Sequence, residues 1–134
     1  MPELRKTPTT PRPTDAELAI LRVLWDRGPS TVRDVHEALR ESQGGGYTTV
    51  LKQLQIMTDK GLVTRDESER AHVYAPRLSQ QRTQRQLLGD LVDRAFSGSP
   101  TKLVLQALAG HKASPRELRD IRALLDELEK EGQR

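Results

Sequence analysis

Apolar positions near the start of the chain recur at spacings of three and four. Leu18, Leu21, Leu24 and Trp25 form one such stripe and predict an amphipathic helix. Thr14-Asp15-Ala16-Glu17 opens it with the hydroxyl and the glutamate of a capping box. Gly28-Pro29 predicts its end, with Gly28 in the left-handed position and Pro29 unable to continue the helix. Ser30-Thr31 starts a second, shorter helix with Val32, Val35, Ala38 and Leu39 as its stripe and Asp34 and Glu37 favouring its early turns. Gln43-Gly44-Gly45-Gly46 reads as a flexible turn. A third helix follows from Tyr47 to Lys60, stopped by Gly61. Val50, Leu54 and Met57 face one way with Leu51 on their flank, and Thr48, Thr49, Lys52 and Gln53 face the other.

The period then shortens. Leu62–Arg65 and Ala71–Ala75 read as two strands around the polar turn Asp66–Glu69, a hairpin closed by Pro76. From Ser79 the helical period returns. Residues 79–97 predict a long helix with Leu87, Leu88, Leu91, Val92 and Phe96 inward. Leu103, Val104, Leu105 and Leu108 mark a short apolar helix ended by Gly110. Ser114-Pro115-Arg116-Glu117 is another capping box, with proline at the first helical position. After it, Leu118, Ile121, Leu125 and Leu128 alternate spacings of three and four, a seam for another helix. The polar Glu129–Arg134 end is expected to fray.

These elements predict a mainly α fold with a small β-hairpin: a winged helix-turn-helix over residues 14–78 and a helical dimerisation module over 79–134. Residues 1–13, with four prolines, read as a disordered arm, either an untethered tail or one that touches phosphates through Arg5, Lys6 and Arg12. In the winged module two helices and one side of the third build a core. The other side of the third is free to enter a major groove. Thr48 and Thr49 are small enough for close approach, Gln53 suits an adenine edge, and Lys52 suits a guanine or a phosphate. Arg65, Arg70 and His72 are placed on the hairpin for backbone contacts. The same fold also serves as a protein-docking module without specific DNA binding, and salt dependence separates the two readings.

The 55 or so residues after the hairpin carry a wide apolar stripe with little of their own to cover it. They either pack back on the winged module or, as preferred here, pair with a second chain through Leu88, Leu91, Val92, Leu105, Leu108, Leu118, Ile121, Leu125 and Leu128. A twofold dimer places two reading helices on a palindromic site.

Composition narrows the chemistry. The 134 residues contain no cysteine, which excludes disulfides, thiolate nucleophiles and cysteine-ligated metals. A net charge of +3 permits nucleic-acid binding without demanding it. His36, His72 and His111 fall in three different elements, and no nucleophile elbow or phosphate loop is present. The expectation is a binding protein, not an enzyme, with no cofactor and no metal. No apolar run is long enough for a membrane span and no secretory signal opens the chain, so a cytoplasmic location is expected.

Several motifs together resemble the penicillinase-repressor family (BlaI/MecI type) of bacterial winged-helix regulators. They are Asp15-Ala16-Glu17-Leu18 with Leu21 and Leu24-Trp25, Thr31-Val32-Arg33-Asp34-Val35, Tyr47-Thr48-Thr49-Val50, Lys60-Gly61-Leu62-Val63 and Arg70-Ala71-His72-Val73-Tyr74. The resemblance spans roughly residues 14–130. It implies a homodimeric repressor on inverted-repeat operator DNA, in a family that includes regulators of antibiotic resistance, with Tyr47, Thr48, Thr49 and Lys52 nearest the DNA. It also implies a regulatory partner, a membrane-bound sensor protease, whose action cuts an Asn-Phe bond in the dimerisation module. Here the matching pair is Gln106-Ala107, which departs from that pattern. The cysteine-rich switch of copper-responsive relatives has no counterpart in this chain.

Overall fold

The computed structural model describes residues 12–40, 42 and 45–133. Residues 1–11 of the arm, with Arg5 and Lys6, and Gln43-Gly44 of the glycine turn lie outside the described residues. Among those described, nine elements follow in order: α1 (Asp15–Arg27), β1 (Ser30–Thr31), α2 (Val32–Leu39), α3 (Tyr47–Lys60), β2 (Val63–Asp66), β3 (Val73–Pro76), α4 (Gln80–Ala95), α5 (Pro100–Gly110) and α6 (Pro115–Gly132). The chain divides into a unit ending at Leu87 and another starting at Leu88, so the boundary falls inside α4.

The expected capping box opens α1. The Glu17 N–H donates to the Thr14 hydroxyl at 3.2 Å, and the Thr14 N–H donates to the Glu17 carboxylate at 2.9 Å. The buried face is broader than the sequence stripe: Ala19 and Ile20 are buried with Leu21 and Leu24, while Leu18 and Trp25 are only partly covered. The helix contacts both α2 and β3, which widens the face that must be apolar. Its end also differs from expectation. Gly28 has φ +90° and ψ −172°, which is not the left-handed helical conformation but an extended mirror-image one that is essentially glycine's own.

Ser30 and Thr31 do not begin a helix directly. They form a two-residue strand, with Ser30 opposite Tyr74 and Thr31 opposite Val73. Thr31 then caps α2, its hydroxyl accepting from the Asp34 N–H at 3.1 Å while the Asp34 carboxylate accepts from the Thr31 N–H at 3.1 Å. The α2 stripe is narrower than expected: Val32, Val35 and Leu39 are buried and Ala38 is exposed.

The α3 helix spans the predicted residues, with Val50, Leu54 and Met57 buried and Leu51 packed at their edge. Gly61, at φ +81° and ψ 18°, is a true left-handed cap, and the following Leu62 N–H reaches back to the Met57 carbonyl at 2.9 Å. The chain then enters an antiparallel sheet in the order β1-β3-β2, so the predicted hairpin gains a third, very short strand. Tyr74, in the central strand, is almost wholly buried. Thirteen apolar residues of α1, α2, α3 and the sheet make one core.

The second unit is built differently. Ser114 and Glu117 close the predicted capping box at the start of α6. That helix continues to Gly132, past the expected fraying point, because Glu129, Lys130 and Glu131 are good helix formers. No described residue from Leu88 to Gln133 is buried. Leu88 and Leu91, expected inward, are each 48% exposed, and Leu105 reaches 63%.

Candidate nucleic-acid interface

The third helix has two unlike sides. Its apolar side is fixed by the core, and its N-terminal turn projects polar groups. Tyr47, Thr48, Thr49 and Lys52 are exposed, and Gln53 is half-buried. Ile56, one turn beyond Lys52, is exposed as well, although it is apolar. The Tyr47 ring meets His36 of α2 edge-on, with centroids 6.1 Å apart and planes at 79°. This contact steadies the first residue of α3, whose cap residue Gly46 offers no side-chain hydrogen bond.

The hairpin carries both signs of charge, interleaved along the chain: Arg65 precedes Asp66 and Glu67, and Arg70 follows Glu69 in the loop between β2 and β3. The tip holds Asp66, Glu67 and Glu69, all exposed. Asp66 accepts from the Ser68 N–H at 2.9 Å, which tightens the turn and holds that carboxyl below its usual range. Arg65, placed by sequence among the backbone-contacting residues, is engaged within the hairpin. A side-chain hydrogen bond to Tyr74, its cross-strand neighbour, and a 2.9 Å pair with Glu67 push its pKa upward. Arg70 is exposed and His72 half-buried at the α3 side of the hairpin.

A cleft of about 520 Å³ lies where these parts meet. Thr31, Val32 and Arg33 contribute from the β1–α2 corner, Tyr47 and Leu51 from α3, and Arg70, Ala71, His72 and Tyr74 from the hairpin. Of the predicted site residues it therefore gathers Tyr47, Arg70 and His72. It does not include Thr48, Thr49, Lys52, Gln53 or Arg65. Arg33 is the lining cation that the sequence reading left out. It stands inside the quoted Thr31–Val35 motif, and only its nearness to the hairpin, which sequence spacing does not reveal, sets it apart from other surface arginines. Among the described residues no three His, Asp or Glu side chains gather as a metal site, and no helix is long and apolar enough to cross a membrane.

Comparison with known proteins adds an independent line. The family model for penicillinase repressors matches residues 13–127. The transcriptional regulator BlaI of Mycobacterium tuberculosis is 48% identical over 63 residues, 46% of either chain, so the match spans under half the length of that relative. A penicillinase repressor of Bacillus licheniformis is 22% identical over 117 residues, covering 87% of this chain and 91% of its own. Among solved structures, the DNA-binding domain of the repressor BlaI is similar with a TM-score of 0.49 and 24% identity, over 54% of this chain and 88% of that one. Monomeric Bacillus licheniformis BlaI with the blaP half-operator gives a TM-score of 0.48 and 23% identity, over 55% and 89%.

Proposed function

The chain belongs to the penicillinase repressor family, and on that footing we propose that it is a cytoplasmic, DNA-binding transcriptional repressor that acts as a homodimer on an inverted-repeat operator. The observation that carries this reading is the two-sided α3. Val50, Leu54 and Met57 lock it to the core, while Tyr47, Thr48, Thr49 and Lys52 stand exposed on its first turns. A helix so held offers short hydroxyl side chains and one long cation to a major groove without losing its footing. Gln53 adds a bidentate group suited to adenine. Arg70 and His72 stand on the hairpin beside it for backbone contacts. Arg65 contributes through the shape and charge of the wing.

Dimerisation is assigned to residues 79–134. Leu88, Leu91, Leu105, Leu108, Leu118, Leu125 and Leu128 are exposed in the single chain, with Val92 and Ile121 half-covered beside them. An apolar surface of this kind is suited to burial against a second copy. Joining two reading helices multiplies affinity through effective concentration. Repression ends when the dimer is lost, and a sensor protease is one agent for this. Gln106 and Ala107 are both exposed, but on the helix α5, so a protease must first open that turn.

Selection of bound duplexes from a random library, with the full chain, tests the reading. Enrichment of an inverted repeat with half-sites one helical turn apart, or a multiple of it, is expected. A library that stays random after repeated rounds overturns it.

A further inference from the structure

The cleft between the β1–α2 corner, the start of α3 and the loop joining β2 to β3 has a one-sided lining. Two arginines and a histidine reach it from two separate elements, and none of its nine lining residues is acidic, in a chain with 19 Asp and Glu. The hairpin's own carboxylates, Asp66, Glu67 and Glu69, are not part of it. We propose that this cleft seats one phosphodiester of the DNA backbone, held between Arg33 of α2 and Arg70 of the hairpin, with Tyr47 as its wall toward the reading helix.

The proposal rests on the DNA-binding reading and deepens it by sorting the cations. Arg33 pairs with Glu37 at 3.5 Å on the same helix, with both side chains well exposed, and also feels the charge of the neighbouring Asp34. Such a pair is weak and readily exchanged for a phosphate, which takes a guanidinium through two parallel hydrogen bonds. Arg70 has no ion pair among the described residues and stands exposed at the cleft. Arg65 is the opposite case, held between Tyr74 and Glu67 with its side chain two-thirds covered. Arg33 and Arg70 therefore release counterions on binding, and Arg65 does not. Tyr47 lines the cleft and also opens the exposed turn of α3, so a strand followed by the reading helix passes the cleft mouth. The phosphate contact then fixes the register in which Thr48, Thr49 and Lys52 meet the bases.

The test is the salt dependence of binding by the full chain, read by fluorescence anisotropy on a duplex from the selection above and on a random-sequence duplex. Arg33→Gln and Arg70→Gln are each expected to weaken both duplexes alike and to lower the slope of log K against log salt by about one per bound chain. The double variant lowers it by about two. Arg33→Lys keeps the wild-type slope. Thermal melting confirms that the variants are folded, as expected for exposed side chains. A wild-type slope in Arg33→Gln, with operator binding still lost in Thr49→Ala/Lys52→Ala, overturns the cleft and leaves the DNA reading standing. A wild type that binds neither duplex overturns the reading itself. Inorganic phosphate is expected to displace DNA beyond chloride at matched ionic strength, and not in Arg33→Gln; phosphate that binds at Arg33 without displacing DNA would make this a seat for free phosphate and overturn the backbone assignment.

Discussion

The Lys60 ammonium lies 2.7 Å from Glu17 Oε1, joining the last turn of α3 to the first turn of α1 across 43 residues of sequence. The same oxygen accepts the Thr14 N–H, so one carboxylate closes a helix cap and anchors the far end of α3. Burial pushes the Glu17 carboxyl up, but the hydrogen bond from Lys60, the Thr14 N–H and the lysine's charge more than offset it and hold the group below 4.5. Lys60→Ala leaves a carboxylate that is only 2% exposed without its cation. Because Lys60 itself is partly solvated, the expected loss is roughly 2 kcal/mol, below the 3–5 kcal/mol of a wholly buried pair. Urea unfolding measures it, and an unchanged midpoint would show that water replaces the ammonium at no cost.

Acid should weaken the fold through three helix caps and one turn. Glu17, Asp34, Asp66 and Glu117 all have lowered pKa values, and Asp34 owes this first to the Thr31 N–H and hydroxyl. A carboxyl whose pKa is lower in the folded state contributes stability that is complete above its unfolded value. That contribution disappears as the pH falls through the folded value. Stability is therefore expected to be flat from neutral pH to about pH 5 and to decline below about pH 4. Asp34→Asn should flatten part of that decline. Chemical unfolding at stepped pH checks both, and a steep loss between pH 7 and 5 would contradict this assignment.

Thr49→Ala combined with Lys52→Ala is expected to remove operator-specific binding while leaving the assembly state unchanged. Two direct base contacts at about 1–3 kcal/mol each correspond to a loss of roughly 100-fold or more. Gel shifts report the binding and sedimentation reports the assembly. Retained operator affinity would move the reading face elsewhere.

Leu125→Asp with Leu128→Asp is expected to give a monomer with strongly reduced operator affinity. Both leucines are 52% exposed in the single chain, so the chain tolerates the change, whereas a paired apolar seam does not accept unpaired carboxylates. Light scattering decides it, and a surviving dimer would place the interface on other residues.

Trp25 donates from Nε1 to the Leu78 carbonyl at 3.0 Å, tying α1 to the segment just before α4. Trp25→Phe keeps most of the ring and removes the donor, with an expected loss of about 1 kcal/mol. Thermal melting tests this, and an unchanged midpoint would mean that water serves Leu78 equally well.

The elements that sequence periodicity located were those whose stability is local. The boxes at Thr14 and Ser114, the span Tyr47–Lys60 and the Gly61 stop each follow from neighbours within four residues. What it missed depends on partners far along the chain. Ser30 and Thr31 are a strand only because Tyr74 and Val73 lie opposite them. Glu17 reads as a cap until Lys60 is seen beside it, and Ile20 reads as off-stripe until the sheet is seen to pack near α1. At the candidate site, the exposure of Tyr47, Thr48, Thr49 and Lys52 could be read from the two sides of one helix, but the capture of Arg65 by Glu67 and Tyr74 could not. That pairing needs the β2–β3 register, which a basic residue near a turn does not disclose.

Thr31 pairs with Val73 in the sheet, caps α2 through its hydroxyl and lines the cleft. The hairpin and α2 are therefore fastened to each other through one residue in the free protein. The chain spends little conformational entropy in assembling this surface, so more of each contact's free energy is kept as affinity. A substitution at Thr31 would then act at a distance: it would loosen wing and helix together and weaken every sequence bound, without touching a base.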